Sequence, residues 1–134
     1  MLVPDASLVV DLLIDGGDRG AWAADQVSFA GSLHAPHLVD LEVVAALRNR
    51  VTRDELSVRR AAKALDDFGS LHIRRYPAAP LLERIWQLRG RLTPYDAAYV
   101  SLAEALDVPL VTTDQRLARA GGHQAHVLAF TGRP

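Results

Sequence analysis

Met1-Leu-Val-Pro-Asp-Ala-Ser-Leu-Val-Val10 opens the chain, and its reading decides the fold. Met1 to Pro4 is a short apolar strand, and Asp5 ends it. From Ser7 to about Ile14 the apolar spacing is that of a helix. A strand running straight into a helix begins a β-α-β unit, and the rest of the chain repeats the alternation. A helix follows from about Arg19 to Ala30, with Trp22 and Val27 or Phe29 facing inward. Leu33 to Ala35 is a second strand. Leu38 to Val51 is a helix apolar nearly all round, which predicts burial. Asp54 to Phe68 is amphipathic and stopped by Gly69. Leu71 to Tyr76 is a third strand and Pro80 to Arg91 a helix. Thr93-Pro94 starts the helix Tyr95 to Leu106, with threonine as N-cap and proline at the first helical position. Leu110 to Thr113 is a fourth strand, Gln115 to Ala120 a short helix, and His126 to Phe130 a last strand.

This order predicts one α/β domain over residues 1–134: a mainly parallel sheet of four to five short strands, flanked by about seven helices. No repeat, linker or low-complexity tract interrupts it. The chain is 49% apolar and 23% charged, ordinary for a globular protein. No apolar run approaches the roughly 20 residues of a membrane span. The first residues lack the basic stretch of a signal peptide, and the absence of cysteine excludes disulfides and thiol catalysis. These features predict a cytoplasmic protein with no membrane contact. A formal net charge of -1 supplies no overall field for nucleic acid, so any such binding must come from local patches. Arginine outnumbers lysine 14 to 1, a bias that suits phosphate contacts but that a GC-rich genome produces unaided.

Four acids stand at the edges of apolar segments: Asp5, Glu42, Asp96 and Asp114. In parallel α/β sheets, ligands bind beyond the carboxyl ends of the strands, at the topological switch point. Asp5 and Asp114 both sit at such ends. Each acid also has a purely structural reading. Asp5 and Asp114 are good helix N-caps, and Asp96 has the capping-box spacing from Thr93. Glu42 has Leu38, Ala45 and Ala46 as helical neighbours and so needs a partner. Asp40 is its rival, and composition does not choose between them. His123 and His126 with Lys63 offer a metal-free ribonuclease chemistry, and His123-x-x-His126 a sparse zinc pattern. Lys63 lies mid-helix, away from any strand end.

Taken together, these blocks resemble a PIN-domain ribonuclease, and within that family a VapC-type toxin of a toxin–antitoxin pair. Val3-Pro-Asp-Ala-Ser-Leu-Val-Val10 is similar to the family's first strand and acid. Leu41-Glu-Val-Val-Ala-Ala-Leu47 resembles the helix of the second acid and so selects Glu42. Leu92-Thr-Pro-Tyr-Asp-Ala-Ala-Tyr-Val-Ser-Leu-Ala103 resembles the third block, with Asp96, and Pro109-Leu-Val-Thr-Thr-Asp114 the last. The chain departs from the pattern at Arg116, where some relatives carry a further acid.

The resemblance implies that Asp5, Glu42, Asp96 and Asp114 converge on Mg²⁺ or Mn²⁺, which prefer carboxylate and water oxygens. Without such a cation, two like charges ~4 Å apart repel by roughly 4 kcal/mol at an effective dielectric of about 20. It also implies RNA hydrolysis, support of the carboxylates by Ser7 and Thr112, and backbone contacts from Arg116 or Arg119. It further implies a VapB-like antitoxin as partner, and a homodimer formed around Trp86 or Tyr99. The helix Leu38 to Val51 and the one after it could form a groove for an amphipathic partner segment. Two rivals remain at this level. A receiver-like signalling domain would need paired acids after the first strand and a late lysine. A non-catalytic interaction module would use all four acids as caps.

Overall fold

A computed structural model describes residues 1–132. Five short strands and seven α-helices alternate along it: β1 (Val3–Pro4), α1 (Ala6–Ile14), α2 (Asp18–Phe29), β2 (Leu33–Pro36), α3 (Leu38–Thr52), α4 (Val58–Gly69), β3 (Ile73–Tyr76), α5 (Leu82–Gln87), α6 (Pro94–Leu106), β4 (Leu110–Thr112), α7 (Gln115–Arg119) and β5 (Val127–Ala129). The expected α/β alternation is present. A 3₁₀ turn, Ala79–Leu81, splits off the start of the helix expected from Pro80. No described helix is long and apolar enough to cross a membrane.

All pairings are parallel. β4 lies between β1 and β5, and β2 pairs with β3. A single bridge, Leu2 to Leu33, joins the two ladders into the order β3-β2-β1-β4-β5. The reason is local. Leu2 donates its amide to Ser32 and accepts from His34, whereas Val3 and Asp5 donate toward β4. By that alternation the nitrogen of Pro4 faces β2, and proline has no hydrogen to give. The strands are laid down to one side of β1 and then to the other, so the order reverses between β1 and β4 and the switch point lies where these two parallel strands end.

Val3, Leu8, Val39, Val43, Val100, Leu110 and Val111 are fully buried in the core between sheet and helices. Glycine is required at position 20, where a Cβ would fall on the backbone carbonyl of Asp15. The Gly20 amide also donates to the Asp15 side chain at 2.7 Å, which fixes the start of α2 against the end of α1.

Several expectations are corrected. Phe29 is 87% exposed, so the inward face of α2 is made by Ala23 with Trp22 and Val27. α3 is not buried all round: Val39, Val43 and Leu47 enter the core, while Leu41 and Val44 face out. α4 begins at Val58, where Ser57 caps it, because Asp54 adopts a left-handed turn at φ 56°. Gly69 is the last residue of α4 rather than its stop. Tyr99 is 1% exposed and offers nothing to a dimer surface, whereas Trp86 is 66% exposed.

Candidate active site

Asp5 follows β1 with extended backbone and caps α1: its Oδ1 accepts from the Leu8 amide at 3.0 Å. The same oxygen accepts from the Ser7 hydroxyl at 2.7 Å, and Oδ2 accepts from the Thr112 hydroxyl at 2.6 Å. Thr112 ends β4, so the β1–β4 pairing itself carries this hydroxyl to Asp5. Burial dominates the carboxyl's energetics and lifts its pKa to about 6; the three donated hydrogen bonds oppose the rise, and the nearby Asp114 charge adds to it. Ser7 and Thr112 thus both donate to the Asp5 carboxylate, one to each oxygen.

Glu42 projects from α3 and accepts from the Tyr99 hydroxyl at 2.7 Å. Burial raises its pKa, the tyrosine bond lowers it, and the charge of Asp96 raises it. Tyr99 comes from α6, one turn beyond Asp96. Its own pKa is raised, first by burial and then by Glu42, with smaller contributions from Asp5 and Asp96. The phenol thus stays protonated and donating in the middle of three carboxylates. Asp40 goes elsewhere: it forms a bidentate pair with Arg75 at 2.7–3.0 Å. The structure separates the two rivals, one an ion pair with β3 and the other beside the remaining acids.

Asp114 caps α7, accepting from the Arg116 amide at 2.9 Å, and its own amide donates to Thr112 at 2.9 Å. Asp96 lies in the first turn of α6, where Thr93 caps its amide. Its carboxylate does not complete a capping box. It accepts instead from Arg116, at 2.9 Å, and the same guanidinium nitrogen reaches Asp114 at 3.1 Å. Asp96, and then Asp114, hold that guanidinium firmly in its charged form. Arg116, expected to meet RNA, bridges the two acids.

Three of the acids therefore form one chain of contacts: Asp5 to Thr112, Thr112 to the Asp114 amide, and Asp114 through Arg116 to Asp96; Glu42, held by Tyr99, joins them only through the field of Asp96. Among the described residues no three carboxylate or histidine side chains are drawn together closely enough to hold a metal as they stand. The donors nevertheless fit a hard divalent cation. All are oxygens, one is buried with its ionisation disfavoured, and an arginine occupies the place of a positive charge between two others.

One further acid, Asp11, lies beside the site. Asp11 is buried on α1 and accepts from the Thr113 hydroxyl at 2.6 Å, with Arg50 at 3.9 Å. Its break in the apolar run Leu8 to Ile14 was visible, but its partner was not. The histidine alternative is not assembled. Lys63 pairs with Asp67 within α4, and His123 accepts from the Ala125 amide in its own turn.

A model of the PIN domain matches residues 2–123. The chain belongs to the PIN-domain family. This PIN domain is 48% identical over 126 residues to Ribonuclease VapC1 of Mycobacterium tuberculosis strain H37Rv, covering 90% of each chain. It is 42% identical over 127 residues to Ribonuclease VapC9 of the same strain, covering 95% of this chain and 96% of the relative. Among solved structures it is similar to PAE2754 from Pyrobaculum aerophilum, at 26% identity and TM-score 0.69, covering 94% of this chain and 81% of the other.

Proposed function

We propose that this PIN domain is a metal-dependent endoribonuclease of the VapC toxin class, restrained in the cytoplasm by a small VapB-like antitoxin. Its likeness to VapC1 and VapC9 over nearly its whole length supports the ribonuclease class. The observation that carries the reading is the grouping of these acids at the switch point of the sheet: Asp5, Asp96 and Asp114 are linked through Thr112 and Arg116, and Glu42, held by Tyr99, lies within the field of Asp96.

Asp5 and Asp96 would hold Mg²⁺ or Mn²⁺ directly, Asp114 directly or through water, and Glu42 would complete the set. Bound there, the ion supplies an acidified water and positive charge for the scissile phosphate and its leaving oxygen. Ser7, Thr112 and the Leu8 amide hold the Asp5 carboxylate against rotation. Tyr99 fixes one oxygen of Glu42 and leaves the other to orient the attacking water and take its proton. For Asp96 and Asp114 to hold a cation, Arg116, which bridges them, would have to let them go; its guanidinium would then be available to a substrate phosphate.

An apolar groove of about 330 Å³ lies between α3 and α4, lined by Val44, Leu47, Val51, Val58, Ala61 and Leu65. Its shape and composition suit the amphipathic segment of an antitoxin. Exposed Trp86 and Leu82 suit homodimerisation. The test of the activity is cleavage of labelled RNA by purified protein. Activity should vanish with chelator and return with Mg²⁺ or Mn²⁺; full cleavage in excess EDTA overturns the reading.

A further inference from the structure

Glu42 and Asp114 line a cleft of about 570 Å³ that Ser7, Arg19, Asn49 and Arg50 line as well. A second cleft, of about 370 Å³, continues from it: both share Arg19, Thr113 and Gln115, and the second ends at Arg119. Three arginines from three separate helices, α2, α3 and α7, therefore line two adjoining clefts, the first of which also holds Glu42 and Asp114. The side chains of Arg19 and Arg50 make no hydrogen bond among the described residues. The one ion pair of either is the 3.9 Å approach of Arg50 to Asp11. Asp11 is already held by Thr113 at 2.6 Å, so this pair leaves the guanidinium largely uncommitted.

We propose that these adjoining clefts form the track of a single-stranded polynucleotide, with phosphates flanking the scissile one seated on Arg50 and then Arg19. The inference rests on the ribonuclease reading and gives it a substrate path. The acids repel a phosphate, so strand binding has to be anchored beside them, and guanidinium groups are suited to bidentate phosphate contact. The first cleft has the size of a pocket for a small ligand, roughly 300–1,000 Å³, which accepts an unpaired strand. Asn49 adds amide donors at the same wall. In the metal-free protein Arg116 is engaged by Asp96 and Asp114, so it is not counted among these anchors. The rigid joint between Asp15 and Gly20 aims Arg19 into the cleft from the first turn of α2.

The test is fluorescence anisotropy with a labelled mixed-sequence oligoribonucleotide of about twelve nucleotides, in EDTA, across a salt series. Arg19→Ala and Arg50→Ala should each weaken binding about five- to twentyfold at low salt. Each should also lower the slope of log affinity against log salt by roughly 0.7, the value for one lost phosphate contact on a single strand. Arg50→Lys, which keeps the charge but loses the bidentate fork, should restore the salt slope and only part of the affinity, and a duplex of the same sequence should compete poorly. Arg53→Ala and Arg59→Ala, outside the cleft, are the controls; thermal unfolding confirms that every variant is folded. Binding by Arg19→Ala and Arg50→Ala within twofold of the parent overturns the inference, as do equal losses in the control variants, equal competition by duplex, or a parent that binds no oligonucleotide. Failure of the ribonuclease reading looks different: the strand binds through both arginines, yet no metal restores cleavage.

Discussion

Asp5→Asn should make the metal-free protein more stable at neutral pH while abolishing its metal-dependent cleavage. The carboxyl is 5% exposed, and its pKa rises from 3.8 to about 6 on folding. A raised acid favours the folded state only while it is protonated. Its stabilising effect is complete below about pH 4 and is lost as pH rises through about 6. At roughly 1.4 kcal/mol per pH unit, the ionised carboxylate withholds about 3 kcal/mol from the fold at pH 7.5. Asparagine removes that charge in the same volume. Its Oδ1 keeps the bonds from Leu8 and Ser7, but its amide must now donate to Thr112. That hydroxyl has to turn toward Ser7, 3.2 Å away. Discounting about 1 kcal/mol for the rearranged bond leaves a gain of about 1–2 kcal/mol.

For a chain of this length the gain corresponds to a rise of about 3–8 °C in melting temperature. Thermal unfolding in EDTA at a series of pH values measures it directly. The variant should exceed the parent at pH 7.5 and lose its advantage below pH 4.5. Saturating Mg²⁺ or Mn²⁺ should stabilise the parent alone. A variant less stable than the parent at pH 7.5, or a difference independent of pH, refutes the account of Asp5 as a buried charge that awaits a cation.

Glu42→Gln should lower cleavage by about a hundredfold or more, whereas Asp40→Asn, which loosens only the Arg75 pair, should stay within about twofold and cost at most about 1 kcal/mol; cleavage rates that rank in the opposite order show the site acid of α3 to be Asp40. Arg116→Ala frees Asp96 and Asp114 from two exposed pairs, each worth about 0.2–1 kcal/mol, so Mn²⁺ affinity measured by calorimetry should rise about two- to thirtyfold. An unchanged or weaker affinity removes Arg116 as a competitor for the site. Leu65→Glu, in a position 43% exposed, should abolish co-purification of the protein encoded immediately upstream while RNA cleavage continues, and retained co-purification moves the antitoxin off the α3–α4 groove.

The alternation of strands and helices was legible because each element is short and its boundaries carry strong chemistry. Thr93 and Pro94 fix the start of α6, and Asp5 and Asp114 fix α1 and α7. The errors fall where periodicity says nothing about the neighbour. Phe29 satisfies the pattern of a buried position but lies in the last turn of α2, beyond the surface that packs on α1. α3 is apolar on more faces than the core can cover, so Leu41 and Val44 remain outside, one of them lining the groove. Tyr99 reads as one more large apolar residue of α6. Its hydroxyl gains meaning only when tertiary packing brings Glu42 within 2.7 Å, across 57 positions of sequence.

Capping does not compete with the catalytic role proposed for these acids. Asp5 and Asp114 cap helices in this structure, as their purely structural reading required, and both belong to the linked set of carboxylates. The two roles support each other physically. A capping carboxylate is held by backbone amides, so its orientation is set before any ligand arrives. Its position at a helix start, just after a strand, is also where a parallel α/β sheet opens its cleft. The amide bonds withdraw one oxygen and leave the other for a further partner: Thr112 for Asp5, and Arg116 for Asp114. Asp96 departs from this rule in an instructive way. Thr93 caps its helix instead, which leaves the Asp96 carboxylate to Arg116 alone. It follows that Asp114→Asn should disturb α7 as well as any metal site, whereas Asp96→Asn should act on the site and leave α6 intact.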